Sequence, residues 1–195
     1  MFSQSSSFRV SVTGKTLSTA FVEACQSNQL FAQSHIEPSG LRPLELTKEV
    51  KLSDNKNLSF NLTPYIHDDL QNIASHGVLR SLHLLIIAVD ISTAYSKNLE
   101  ETLALDFIIN RAKAQMTHVV IAGVLPKASQ QTENSETIRQ LTQLANKYSL
   151  SYYSVDLNNS DDLTQLLRQE ITKHGHHLPE QNNSKTSDRT LEASI

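Results

Sequence analysis

Gly14-Lys15-Thr16, within the stretch SVTGKTLST, has the side chains that close a phosphate-binding loop. In such a loop the lysine reaches the phosphates, the hydroxyl holds magnesium, and a long glycine-flanked turn wraps backbone N–H groups around the phosphate oxygens. The full pattern is GxxxxGK[ST], and here it fails upstream of the lysine. The position of the first glycine is occupied by Arg9, inside the strand candidate FRVSV at residues 8–12. About one residue separates Val12 from Gly14, where a wrapped phosphate needs several. Lys15 and Thr16 therefore carry the right chemistry on the wrong backbone. A tight strand-to-helix turn with Lys15 solvated accounts for them.

Other reactive residues have plainer explanations. His174, His176 and His177 form HGHH, a zinc-like spacing, but no Cys or acidic ligand is clustered with them in sequence, and they read as a frayed helix end. Cys25 lies beside the apolar stripe of the first helix with no nearby His to activate it. Asp90 and Asp156 end strands at the sheet edge where α/β folds bind ligands, yet no glycine-rich backbone accompanies either. Asp161 and Asp162 suit a helix N-terminus rather than a catalytic carboxylate pair.

The elements that would position these residues alternate. After the first strand, Leu17, Ala20, Phe21 and Ala24 recur at helical spacing. Residues 27–60 are ambiguous, with strand candidates at 49–52 and 58–62. Thr63 before Pro64 reads as the cap of a helix running to about His76. The second half is clearer. LHLLIIAV (residues 82–89) and VVIAGV (119–124) are continuous apolar strands, as expected when both faces of a parallel sheet are covered. Ser96 would cap a helix from Lys97 to about Gln115. Asn134 or Ser135 starts another, LSYYSV (150–155) is a strand, and Ser160 caps the last helix, which Gly175 ends. This βα…βαβαβα order predicts an α/β three-layer fold with a mostly parallel central sheet, laid out like a small GTPase of the P-loop NTPase type. Residues 8–175 form that domain, and the polar composition of residues 1–7 and 176–195 predicts disordered ends.

The remaining stations of a GTPase are also missing. A magnesium-linked Asp followed two residues later by Gly should precede the helix after the third strand, where the chain reads Asn61-Leu62-Thr63-Pro64. The guanine-reading Asn-Lys-x-Asp should follow VVIAG, where the chain reads Val124-Leu125-Pro126-Lys127. The Ser-Ala-Lys segment after the last strand is replaced by Val155-Asp156-Leu157. Together these losses remove phosphate, metal and base recognition. The sequence predicts a degenerate nucleotide site, no cofactor, no GTP binding and no hydrolysis.

Composition narrows the setting. The 195 residues are 38% hydrophobic with a net charge of -3, which gives no positive surplus for nucleic acid. One cysteine suits a reducing compartment, and neither a signal peptide nor a membrane-length apolar run is evident, so a soluble intracellular protein is expected.

The stretch HLLIIAVDISTAYSKNLEETLALDF (residues 83–107) resembles the strand, Tyr-Ser step and Glu-Glu-containing helix start of the centromere protein M family. ETIRQLTQLANKYSLSYYSVDLNNSDDLTQLLRQEI (residues 136–171) is similar in its Leu-Ala-x-x-Tyr segment and in the Asp-Leu after the last strand. VTGKTLSTAF resembles that family's abbreviated first loop. The better match covers about half the chain, residues 82–175, and residues 27–80 are not placed by it. The resemblance implies a small-GTPase fold without nucleotide machinery, no catalysis, and a nuclear place at the centromere. It also implies partners in the constitutive centromere-associated network, namely centromere proteins I, H and K. The rival expectations are a divergent active small GTPase and a GTPase-like adaptor in vesicle-coat assembly.

The long helix offers a separate sign of an interaction role. At 100° per residue Leu99, Leu103 and Phe107 share one face, while Leu105, Ile108, Ile109 and Ala112 lie roughly opposite. A helix covering a sheet needs one apolar stripe. The second makes these four residues candidate partner-binding positions, unless a neighbouring element of the same domain covers them.

Overall fold

The computed structural model describes residues 6–26, 46–51, 57–65, 78–95, 98–127 and 132–175. Strand β1 (Ser6–Thr13) leads into helix α1 (Lys15–Gln26), and β2 (Leu46–Lys51) and β3 (Asn57–Tyr65) follow. A short 3₁₀ turn (Val78–Ser81) precedes β4 (Leu84–Asp90). Then come α2 (Leu99–Thr102), α3 (Leu105–Ala114), β5 (His118–Leu125), α4 (Ser135–Tyr148), β6 (Ser151–Asp156) and α5 (Ser160–Gly175). The six strands form one sheet in the order β2-β3-β1-β4-β5-β6. Every neighbouring pair is parallel except β2 with β3.

Period-two alternation divides the core into two layers. Phe8, Val10 and Val12 of β1, Leu84 and Ile86 of β4 and Val120, Ala122 and Val124 of β5 pack with α1 and α5. Their sequence neighbours Leu85, Ile87, Val89, Val119 and Ile121 face the other way, into a cluster with α2, α3 and α4. This two-sided cover explains why β4 and β5 carry no polar alternation. Sheet and helices form a three-layer α/β fold.

The structure departs from the expected elements in two places. Thr63 and Pro64 do not cap a helix; they continue β3, opposite Ser11 and Val12 of β1. The pairing with β2 stops at Leu62, so proline sits where no β2 residue needs its missing N–H. Residues 66–76 of the expected helix lie outside the described ones. The helix expected from Lys97 to about Gln115 is broken: α2 ends at Thr102 and α3 starts at Leu105. Ala104 between them is left-handed, with φ 46° and ψ 40°. A single such residue interrupts the helical ladder, so a 100° wheel cannot be carried across it.

Helix caps follow the sequence more closely. Asn134 Oδ1 accepts a bond from Thr137 N at 3.0 Å at the start of α4. Asp161 and Asp162 occupy the first turn of α5. The cap observed on α2 is Asn98, whose Oδ1 accepts from Glu100 N at 3.0 Å, while Ser96 lies outside the described residues.

Candidate functional site

The carboxyl ends of the parallel strands are where ligands bind in sheets of this kind. At the end of β1 the turn is Gly14 alone, because β1 stops at Thr13 and α1 starts at Lys15. Gly14 has φ +142°, and a Cβ placed on it would lie 2.3 Å from the Ala88 carbonyl oxygen of β4. The turn is thus pressed onto the neighbouring strand. Leu17 N donates to Gly14 O at 2.8 Å, so helical bonding begins at the turn residue itself. No length of backbone remains to wrap an anion. The side chains of Lys15 and Thr16 lie outside the described ones.

The neighbouring strand ends are closed by their own turns. Asp90 Oδ1 accepts from Ser92 N at 2.8 Å and from Ser92 Oγ at 2.6 Å. Ile91 N donates to Val124 O at 3.0 Å, and Asn134 N donates to Ile91 O at 2.7 Å, which stitches this turn to β5 and α4. Asp156 Oδ1 accepts from Asn158 N at 2.8 Å and Asn158 Nδ2 at 3.0 Å. Asp156 N in turn donates to Asp162 Oδ2 at 3.0 Å. Both strand-end carboxylates are held as acceptors within local turns. Asp162 is likewise engaged in holding the β6–α5 connection.

The other candidates also settle into structural roles. Cys25 is fully buried, and burial pushes its thiol far above the ordinary range, against an opposing effect of Lys127. A thiol held protonated by burial is a poor nucleophile. His174 lies in the last turn of α5, while His176 and His177 lie outside the described residues. Among the described residues no group of three or more His, Cys, Asp and Glu is arranged to hold a metal ion.

The candidate partner-binding residues Leu105, Ile108, Ile109 and Ala112 require a correction. All are buried in this domain's own core, together with Leu99 and Leu103 from the other expected stripe. The break at Ala104 redirects the chain so that both stripes turn inward. Phe107 alone of these residues is exposed, at 40%, with the Arg111 guanidinium 5.7 Å from its ring centre.

A feature the sequence did not reveal lies at the opposite, amino end of the sheet. There α3, α4 and α5 finish around a groove of about 500 Å³, with Ile109 and Ala112 among its walls. Lys113, Lys147 and Lys173 stand there too, near the negative ends of the helix dipoles. Glu170 of α5 is fully buried beneath the groove. Its Oε1 accepts from Tyr153 Oη and from Lys173 Nζ, the latter at 2.9 Å. Lys173 Nζ also donates to Tyr153 Oη at 3.2 Å and Ser151 Oγ at 3.3 Å. Glu170 raises the Lys173 pKa, and burial followed by Glu170 raises that of Tyr153, so neither is prepared as a base at neutral pH. The i, i+3 and i, i+4 spacing of Glu170, Lys173 and His174 was the available signal.

On the same side Tyr148 reaches across the helix break. Its hydroxyl contacts Glu100 of α2 and, at 2.7 Å, Asp106 of α3. Lys147 Nζ bonds the same Glu100 oxygen at 2.5 Å.

No protein-family model and no curated protein matches the chain. Among the described residues no helix is long and apolar enough to cross a membrane.

Proposed function

We propose that this chain is a non-catalytic scaffold: a pseudo-GTPase subunit of the inner kinetochore, of the centromere protein M type. The observation that carries the non-catalytic part is the single-residue turn at Gly14, seated against Ala88 O. A phosphate-binding loop needs several backbone N–H groups converging on one point, and this turn offers no such length. The closed turns at Asp90 and Asp156 favour the same reading, since they occupy the corresponding strand ends with internal hydrogen bonds. A six-stranded, mostly parallel sheet with an antiparallel edge strand and helices on both faces supports a small-GTPase-like, P-loop NTPase-type ancestry.

The kinetochore assignment rests on the resemblance across residues 82–175. On this reading the protein binds other subunits of the constitutive centromere-associated network, centromere protein I with H and K, at the centromere in the nucleus. It works without nucleotide, cofactor or direct contact with nucleic acid, and supports kinetochore assembly and chromosome segregation.

Two measurements test the two parts. Saturating Mg-GTP leaves the melting temperature of the purified chain unchanged; stabilisation of more than about 1 kcal/mol by mass action contradicts the degenerate site. Affinity purification from dividing cells recovers inner-kinetochore subunits; recovery of vesicle-coat components in their place rejects the location.

A further inference from the structure

His118 and His174 come from elements far apart in sequence and meet face to face. His118 opens β5, and its backbone N donates to His83 O at 2.9 Å, which fixes it to the sheet edge. His174 lies one turn after Glu170 in α5. The two rings stack with centres 3.5 Å apart and planes 21° apart. We propose that this pair is an acid-released latch, holding the last turn of α5 against the start of β5 while both rings are neutral.

Neutral imidazoles can stack at this separation, whereas two imidazolium rings repel, and the groups around them decide the balance. From α5, Glu170 Oε2 is 3.3 Å from His174 Nε2, and Lys173 lies one residue before His174. Glu170 Oε1 is already engaged by Tyr153 of β6 and by Lys173, while Oε2 is buried without a hydrogen bond of good geometry. From α3 and α4, Lys113, Lys147 and Tyr148 face the same groove. Just before β4, His83 accepts the His118 N–H at its carbonyl, and its Nδ1 accepts from Arg9 N of β1 at 2.9 Å. Among these described groups Glu170 is the carboxylate and the lysines are the cations. Glu170 favours a charge on His174, but burial, His118 and Lys173 oppose it, and the His174 pKa is lowered overall. His83 is lowered as well, by burial first and then by Arg9 and His118.

The sign follows. A histidine whose folded pKa is depressed contributes fully above the ordinary imidazole range, and its contribution is lost as pH falls through that range toward the folded value. Acid thus loosens the α5 end, while Leu163, Leu166 and Leu167 of the same helix hold to the sheet core through apolar packing. The latch makes the position of the last helical turn before residue 176 sensitive to mild acid.

Amide hydrogen exchange on the full chain tests this, with rates corrected for intrinsic pH dependence. Between about pH 7.5 and about pH 5.5 protection in the last turn of α5 falls roughly tenfold while β4 and β5 stay protected. His118→Phe keeps an aromatic face but takes no proton, and its α5 end loses less protection at the lower pH than the parent's. Equal loss in the variant and the parent overturns the latch. Should the variant fail to fold, proton NMR of the parent's ring Cε1–H signals decides. The latch requires His174 to titrate below the ordinary value, with the pair resolving into two steps; a single ordinary titration rejects it. Zinc chloride that raises the melting temperature at neutral pH, reversibly with chelator, also rejects it by making the pair a ligand set.

Discussion

The two ends of the sheet have opposite characters. At the carboxyl end, polar groups close on themselves: Gly14 sits against Ala88 O, and Asp90 and Asp156 bond within their own turns. At the amino end the polar groups belong to different elements, with Tyr153, Glu170, Lys173, His118 and His174 assembled from β5, β6 and α5. A strand-end turn can be sealed by local hydrogen bonds, because an Asx turn needs only its own neighbours. A buried carboxylate needs partners brought from elsewhere, since desolvation is otherwise too costly. Closed strand-end turns and a long-range polar cluster are thus separate features at separate ends.

The largest effect should come from the apolar layer that α2, α3 and α4 form against the sheet. Leu105→Asp with Ile109→Asp places two carboxylates among residues 0% and 3% exposed, and the chain loses its folded circular-dichroism and gel-filtration signature. A folded double variant that merely lost a partner would return these positions to the candidate interface.

At the carboxyl end, Gly14→Ala puts a methyl 2.3 Å from Ala88 O at a φ that L residues rarely adopt. Urea unfolding should show a loss of about 3 kcal/mol or more. A neutral result would mean that the turn yields, and with it the argument that no phosphate fits.

A smaller effect is expected at Tyr148. Tyr148→Phe removes the hydroxyl joining Glu100 and Asp106 across the broken helix, at about 1 kcal/mol. Lys147, then Tyr148, hold the Glu100 carboxyl below the usual carboxylate range. That stabilisation is present above the ordinary value and lost as pH falls through the depressed one, and the variant should show a shallower acid limb of stability against pH. An unchanged limb would assign the tether to Lys147 alone.

The buried strands, the start of α4 and the shortness of the first turn were legible because each depends on short-range order. LLIIAV and VVIAG declare two-sided burial by having no polar alternation, and Asn134 declares a cap by its position. A short first turn followed from the sequence as Thr13–Thr16, and the structure narrows it to Gly14, with Thr13 in β1 and Lys15 in α1. Thr63-Pro64 misled because the same dipeptide suits a helix start and a strand end past its neighbour's pairing. The break at Ala104 was invisible because alanine is a strong helix former and carries no sign of a left-handed backbone. Nothing in the sequence marks Glu170 as buried, and only its place against Tyr153 of β6 shows it.

The sequence by itself determined the α/β alternation, the buried strands and the shortness of the first turn, since these are properties of consecutive residues. Tertiary structure alone decided that Leu105, Ile108, Ile109 and Ala112 face the core, and that His118 meets His174. The physical reason is the range of the interactions. Periodicity and turn length are fixed along the chain, but which face meets which neighbour depends on a helix break and on strand partners many residues away.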